Sequence, residues 1–386
     1  MLRTYLVTLA MWCGGAIASA QTPVEATPDY LPELQSHFTR VVEDPRIVGL
    51  AAAVIENGEP VFVFTHGEAE AGSGRAVSDT TLFRAASVSK TFTGTLLALL
   101  DDQGQIDLDM PMPARILSLQ GDRSPTLEDL LSHRTGLPPN AYDNILEAGR
   151  PIGDIRERLS EVDLLCPVGS CFTYQNVAFA AVEPVVEEAT GRPYADVLTS
   201  EIFSRTGMET ASLGVPALTA SENWAAPHRG WRRTGNEAGH PRTYYDRTPS
   251  AAGVNLSLND MIAWAQAQLG VRDGIPEDVR ARAHARLTET RRETRRLGEL
   301  SARVSQTWYG LGWRVYDWGD RTLVLHSGYL SGYGAQIVLE PETGFAFVAL
   351  WNSDNRPAWW LWPVVMDLRT GEGDGHEWLE RFYEDE

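Results

Sequence analysis

Ser87 and Lys90 stand three residues apart in the run Phe83-Arg84-Ala85-Ala86-Ser87-Val88-Ser89-Lys90-Thr91-Phe92-Thr93-Gly94. Lys90 is the only lysine in the chain; apart from histidine, every other cationic side chain is arginine. A guanidinium stays protonated in a protein, whereas an ammonium gives up its proton once burial or a neighbouring charge lowers its pKa. The chain therefore holds a single amine side chain able to act as a base. Residues three apart on a helix share a face, so the serine hydroxyl and the amine can meet. A serine at the start of that helix also lies near free backbone N–H groups and the positive end of the dipole, where an oxyanion is stabilised. The apolar positions Phe92, Leu96, Leu97, Leu99 and Leu100 predict a buried helix running to about Gln103-Gly104. Taken alone, Ser-x-x-Lys fits equally an ordinary surface lysine behind a serine-rich turn. The sequence downstream decides between them.

Two further short motifs bear on that choice. Tyr174-Gln175-Asn176 precedes a helical run, and His326-Ser327-Gly328 closes a predicted strand before Tyr329 and a Gly-rich turn. Each alone is compatible with turn chemistry or a satisfied core histidine. Just ahead of Tyr174 lie Cys166 and Cys171, a close pair that reads as a disulfide in an oxidising compartment. Closing so short a loop contributes only about 2 kcal/mol in the chain-entropy model, so its use is to brace the loop locally. A metal role for the pair is disfavoured, because no second Cys pair or His cluster lies near it in sequence.

The elements that must position these residues follow from periodicity and turn signals. A helix is predicted over Leu31 to Val42. Apolar runs at Ile47 to Ile55 and Pro60 to Thr65 flank Glu56-Asn57-Gly58, a hairpin signal. Gly67 to Asp79 reads as a loop delivering the chain to Ser87. Helical signals then dominate: Thr126 to Leu131, Ala178 to Ala189, Tyr194 to Phe203, and Ser257 to Leu269 with Ser257 as cap and Asp260 three residues on. The irregular stretch from Pro216 to Pro249 is a candidate rim for a cleft. Arg280 to Arg296 reads as a solvated charged helix. Strand signals return at Trp308 to Tyr316, Arg321 to His326, Ala335 to Leu339 and Phe345 to Trp351, an antiparallel set of four, and Ala358 to Leu368 is a closing helix. The expectation is an α+β fold. One sheet is built from both chain ends, 21–107 and 302–386, around a mostly helical 108–301 insert, with the site between them.

Composition narrows the function. With 52 acidic and 33 basic residues the formal net charge is −19, which argues against nucleic acid or an anionic membrane as partner. Residues 1–20 read as an export signal: Arg3, an apolar run from Tyr5 to Ile17, and Ala18-Ser19-Ala20 before Gln21. The run is too short to span a membrane comfortably, and bulky Trp12 before Cys13 disfavours a lipoprotein site. The expected location is periplasmic or secreted.

Taken together and in this order, the three motifs resemble the serine hydrolases of the penicillin-binding protein and class C β-lactamase superfamily, with its Ser-x-x-Lys, Tyr-x-Asn and Lys- or His-x-Gly. The segments Ser87 to Gly94 and Thr126-Leu127-Glu128-Asp129-Leu130-Leu131-Ser132-His133-Arg134-Thr135-Gly136-Leu137-Pro138 strengthen the resemblance, which spans about Ile47 to Asn352. It implies the β-lactamase/transpeptidase-like fold, no cofactor and no metal. It further implies an acyl-serine route on β-lactams, D-amino-acid peptides or esters. By the same resemblance Ser87 is the nucleophile, and Lys90 and Tyr174 share the base work. Asn176 contacts Lys90 and the substrate amide, and Asn140 contacts the acyl group. The N–H groups of Ser87 and Tyr329, the latter just after Gly328, form the oxyanion hole. His326 departs from class C β-lactamases, which carry lysine there. A histidine is largely neutral above about pH 6.5, so efficient β-lactamase activity is in doubt. No Gly-x-Ser-x-Gly and no His-Glu-x-x-His motif supports another hydrolase class. A silent binding protein on the same fold is disfavoured by the intact Ser87, Lys90, Tyr174 and Asn176.

Overall fold

The computed structural model of the chain describes residues 28–230 and 237–383; the predicted export segment lies outside them. The hairpin signal forms strands β1 (Gly49–Glu56) and β2 (Glu59–Gly67). Asn57 and Gly58 take φ of 50° and 83°, and positive φ at both central positions is what a type I′ turn requires. Far along the chain come β3 (Thr288–Glu289), β4 (Val304–Tyr309), β5 (Arg314–Trp318), β6 (Arg321–Leu330), β7 (Tyr333–Glu340) and β8 (Phe345–Trp351). They complete one antiparallel sheet in the order β2-β1-β8-β7-β6-β5-β4-β3, so the first hairpin pairs with the last strand. This is the expected α+β fold, a sheet drawn from both ends of the chain.

Both faces of the sheet are covered, which explains why β1 reads as an unbroken apolar run rather than an alternating one. Leu50, Ala52 and Val54 pack against the Leu31–Val42 and Leu361–Thr370 helices. Ala51, Ala53 and Ile55 belong to the other core, which holds the Ser89–Asp102 and Leu258–Leu269 helices. The predicted cap forms as a capping box, Ser257 with Asp260, and Thr126 with Asp129 makes a second one that was not predicted.

Four sequence expectations need correction. The helix expected over Ala178 to Ala189 is two, Asn176–Phe179 and Val182–Thr190. The single strand expected over Trp308 to Tyr316 is two, β4 and β5, separated by Gly310-Leu311-Gly312-Trp313. That turn lies backbone-to-backbone on the Ser89–Asp102 helix: a Cβ on Gly312 would sit 2.0 Å from the Lys90 carbonyl oxygen. The strand expected to stop at His326 continues to Leu330. The charged helix expected over Arg280 to Arg296 is instead a Glu277–Ala283 helix, β3 and a short Arg291–Thr294 helix. Threonine pairing explains the break. Thr288 and Glu289 extend the sheet beside β4, and the Thr290 and Thr307 hydroxyls meet at 2.6 Å.

Candidate active site

Ser87 sits in a single 3₁₀ turn, Ala86–Val88, that runs straight into the Ser89–Asp102 helix. Ala86 has φ +48°, a left-handed conformation that a non-glycine residue holds only when its surroundings impose it. They do so here: Ala85 N–H donates to the Val254 carbonyl at 2.9 Å, and Val254 N–H donates to Ser89 Oγ at 3.0 Å. The opposite wall is β6, where a Cβ on Gly328 would lie 2.2 Å from the Ala85 carbonyl oxygen and 3.0 Å from the Ser87 nitrogen. Only glycine lets that strand approach the Ser87 turn, which brings the Tyr329 backbone beside Ser87.

Lys90, in the first turn of the Ser89–Asp102 helix, is fully buried. Its Nζ donates to Asn176 Oδ1 at 2.7 Å and to the Ala251 carbonyl at 2.9 Å, and it lies 4.7 Å from the centre of the Tyr174 ring. Burial lowers its pKa to about 7, opposed by the charge of Asp143 and aided by that of Arg314. A neutral amine has two N–H bonds. Both are directed at these acceptors, which leaves the lone pair free to accept a proton.

Tyr174 follows the disulfide between Cys166 and Cys171 and hydrogen-bonds Ser87. Burial raises its pKa, so it stands as a phenol. His133, from the segment singled out in the sequence, fixes it. The His133 carbonyl accepts from Thr173 N–H at 2.8 Å, its Nδ1 accepts from Gln175 N–H at 3.2 Å, and its ring lies 4.3 Å from that of Tyr174. Asn176 passes the lysine contact onward, its Nδ2 donating to Asp143 Oδ2 at 2.6 Å.

The other predicted residues land less uniformly. His326 is buried, and both ring nitrogens are engaged. A carbonyl can only accept, so Nδ1–H donates to Ser327 O at 2.8 Å and Nε2 accepts from the Tyr309 hydroxyl at 2.9 Å. Burial, with the charges of Arg314 and Lys90, keeps it neutral, its pKa well below the usual imidazole range. Asn140 meets the site through its backbone: in left-handed conformation, φ 54°, it donates its N–H to the Tyr174 carbonyl at 2.9 Å, and its residue is exposed. Tyr329 is 48% exposed and lines a cavity of about 470 Å³ with Glu147, Arg242, Tyr244, Tyr245, Leu330 and Ser331. Three of those residues come from the irregular stretch predicted as a rim.

Sequence reasoning missed Arg314, Asp143 and Tyr245. Arg314, on β5, pairs with Glu293 and holds its guanidinium carbon 5.9 Å from the Tyr174 ring centre. Asp143, its pKa raised by burial, accepts from Asn176, and the Tyr245 hydroxyl lies 3.5 Å from Asn176 Nδ2. No motif marks these three. Among the described residues one group could hold a metal ion, Glu33, His37 and His376, and it belongs to the terminal helices rather than to this site.

A serine at a helix start, a buried low-pKa lysine and a tyrosine bridging to the serine define a serine hydrolase of the acyl-transfer type. The chain belongs to the Beta-lactamase family, whose model matches residues 34–359. It is 26% identical over 331 residues to penicillin-binding protein 4 of Amycolatopsis lactamdurans, covering 82% of this chain and 84% of that one. It is 28% identical over 321 residues to a D-aminopeptidase of Gluconobacter oxydans, covering 79% of this chain but only 55% of that protein. The octameric penicillin-binding protein homologue from Pyrococcus abyssi shares the fold, with a TM-score of 0.79 at 18% identity over 90% of this chain and 79% of that one.

Proposed function

We propose that this serine hydrolase cleaves peptides containing D-amino acids, with Ser87 as nucleophile and Lys90 as the base that activates it. The observation that carries the assignment is Lys90: a buried amine with a pKa lowered to about 7, in contact with the Tyr174 ring. Tyr174, with its raised pKa, is the relay and not the base. In this reading Ser87 Oγ bonds to the substrate carbonyl carbon as its proton passes through Tyr174 to Lys90. The backbone N–H groups of Ser87 and Tyr329 take the oxyanion, and the proton returns to the departing amine. Water then hydrolyses the acyl-serine by the same route.

The substrate class rests on electrostatics and on the relatives. Neutral His326 offers a substrate carboxylate no charge, and the Arg314 guanidinium beside Tyr174 is already paired with Glu293. A penicillin-binding protein and a D-aminopeptidase among the relatives point to peptide substrates rather than to simple esters. We further propose export, on the strength of the first twenty residues; the mature protein then begins at Gln21.

The test is intact mass after exposure to a penicillin, a cephalosporin or a fluorophosphonate, with release of D-alanine from D-Ala-D-Ala peptides measured in parallel. A lasting β-lactam adduct on Ser87 with peptide turnover supports the assignment. Rapid β-lactam consumption without peptide turnover makes the protein a β-lactamase. Fluorophosphonate labelling without turnover of peptide or β-lactam makes it an esterase.

A further inference from the structure

The carbonyl that receives the Lys90 amine belongs to Ala251, on a short helix, Pro249–Ala252. A single helical turn has little rigidity of its own, so what holds its neighbour Ser250 sets where that carbonyl points. Glu183, on the Val182–Thr190 helix, accepts two hydrogen bonds on one carboxylate oxygen, from Ser250 N–H at 3.0 Å and from Ser250 Oγ at 2.6 Å. The Ser250 carbonyl accepts from Thr93 Oγ1 at 2.7 Å, one turn along the helix from Lys90, and the Tyr194 hydroxyl lies 2.7 Å from the same Thr93 oxygen. Glu183, Ser250, Thr93 and Tyr194 are all buried. Among the described residues no ion pair within 4 Å neutralises Glu183; Arg156 and Glu187 act on it only through space, from opposite signs. A carboxyl group carried into the interior without a paired cation is costly unless its hydrogen bonds compensate. Here those bonds all go to the residue next to the Lys90 acceptor.

We propose that Glu183 is a positioning residue for acylation: it clamps the Pro249–Ala252 helix so that the Ala251 carbonyl holds the Lys90 amine against Tyr174 and Ser87. The proposal rests on Lys90 as the base. It predicts which chemistry at position 183 matters. Burial pushes the Glu183 carboxyl up to about 7. A proton added to its other oxygen leaves the oxygen facing Ser250 an acceptor, so the clamp needs an acceptor there and not a charge. Glutamine preserves it; alanine does not. The titratable and charged groups facing Lys90 are Asp143, Arg314, Tyr174, His133 and His326, beside the amide of Asn176 and the ring of Phe179, and none of these is altered by either substitution.

The experiment measures the rate constant for labelling by a fluorophosphonate against pH in the parent, Glu183→Gln and Glu183→Ala. Glu183→Gln is expected to stay within about threefold of the parent. Glu183→Ala is expected to lose about tenfold to a hundredfold at the plateau, the size a misplacement near 1 Å produces. Its acid limb should also move to lower pH, because Lys90 loses a carbonyl that favours its charged form. Loss of plateau rate with an unmoved limb, or equal loss in both variants, overturns the clamp in favour of a merely structural role. So does a Glu183→Ala protein that behaves as the parent. If the alanine variant does not fold, Glu183→Met fills the volume without an acceptor and takes its place. Failure of Lys90 and Ser87 as base and nucleophile reads differently: the parent itself is unlabelled, or Ser87→Ala labels at the parent rate.

Discussion

Lys90 carries the proposed chemistry because it is the chain's only amine side chain, whereas every other cation apart from histidine is an arginine that keeps its proton. With a pKa of about 7 it is half neutral near physiological pH, whereas a phenol at Tyr174 or an imidazole at His326 holds one protonation state throughout that range. Acylation of Ser87 should therefore rise with pH, with an inflection near 7, and level off above it. Stopped-flow acylation from pH 5 to 9 checks this; a flat profile would remove Lys90 as the base. Lys90→Arg keeps the charge and loses the base, and should lower the acylation rate by about 10² to 10⁴, the range general-base catalysis supplies. Ser87→Ala should abolish covalent labelling with no change in melting temperature beyond a few degrees, read by intact mass and circular dichroism. Asn140 shows what residue types alone do not reveal. The resemblance places its side chain at the acyl group; what the fold itself fixes is its backbone, whose N–H donates to the Tyr174 carbonyl in a left-handed conformation that the residue type alone does not dictate.

Glycines bring the elements of the site together. The turn at Gly310 to Trp313 approaches the Ser89–Asp102 helix, and β6 approaches the Ala85–Ser87 turn, closely enough that side chains are excluded. Gly94 is the clearest instance. In an exposed helix interior, glycine to alanine stabilises by up to about 1 kcal/mol. Here a Cβ would sit 1.8 Å from the Leu311 carbonyl oxygen, so the sign reverses. Gly94→Ala should destabilise by about 1–3 kcal/mol, the usual size of an overpacked core, measured by urea unfolding. Gly328→Ala should act on catalysis as well, prying β6 from the Ser87 turn and lowering acylation at least about tenfold. Local signals carried much of this architecture: the I′ hairpin, the Ser257 capping box and the helix behind Ser87 depend on neighbours in sequence. The split between β4 and β5 was not legible, because Gly310 and Gly312 look like strand irregularities until the packed Lys90 carbonyl is known. Nor were Arg314 and Asp143, which reach Tyr174 and Asn176 only through the sheet register and the folding of the insert. Arg280 to Arg296 misled for a related reason: its charge pattern is helical, while the partner that makes Thr288 a strand residue lies twenty-one positions on, at Tyr309.

At the scale of the whole molecule, the site sits where a sheet from both chain ends meets the helices between them, and its working groups are buried at a cost to the fold. Lys90 illustrates the trade in a form that pH exposes. Its folded pKa is about 7 against 10.5 for the free side chain. Between those values the unfolded chain binds the extra proton, so stability rises with pH; below about 7 the penalty is fully present and constant. Replacing Lys90 by methionine removes the titrating group and keeps most of the volume. Lys90→Met should therefore be more stable relative to the parent at pH 6 than at pH 10, even though it leaves Asn176 Oδ1 and the Ala251 carbonyl short of a donor. Glu183 works in the other direction and in another window. Its pKa is raised from 4.5 to about 7, so its contribution falls as pH rises through that interval, and Glu183→Gln should flatten the stability profile there. Melting temperatures of parent and both variants, taken from pH 4 to 10, separate the two effects. A Lys90→Met difference that does not shrink between pH 7 and 10 would mean that Lys90 stays charged in the folded protein. The base of the proposed mechanism would then have to be sought elsewhere.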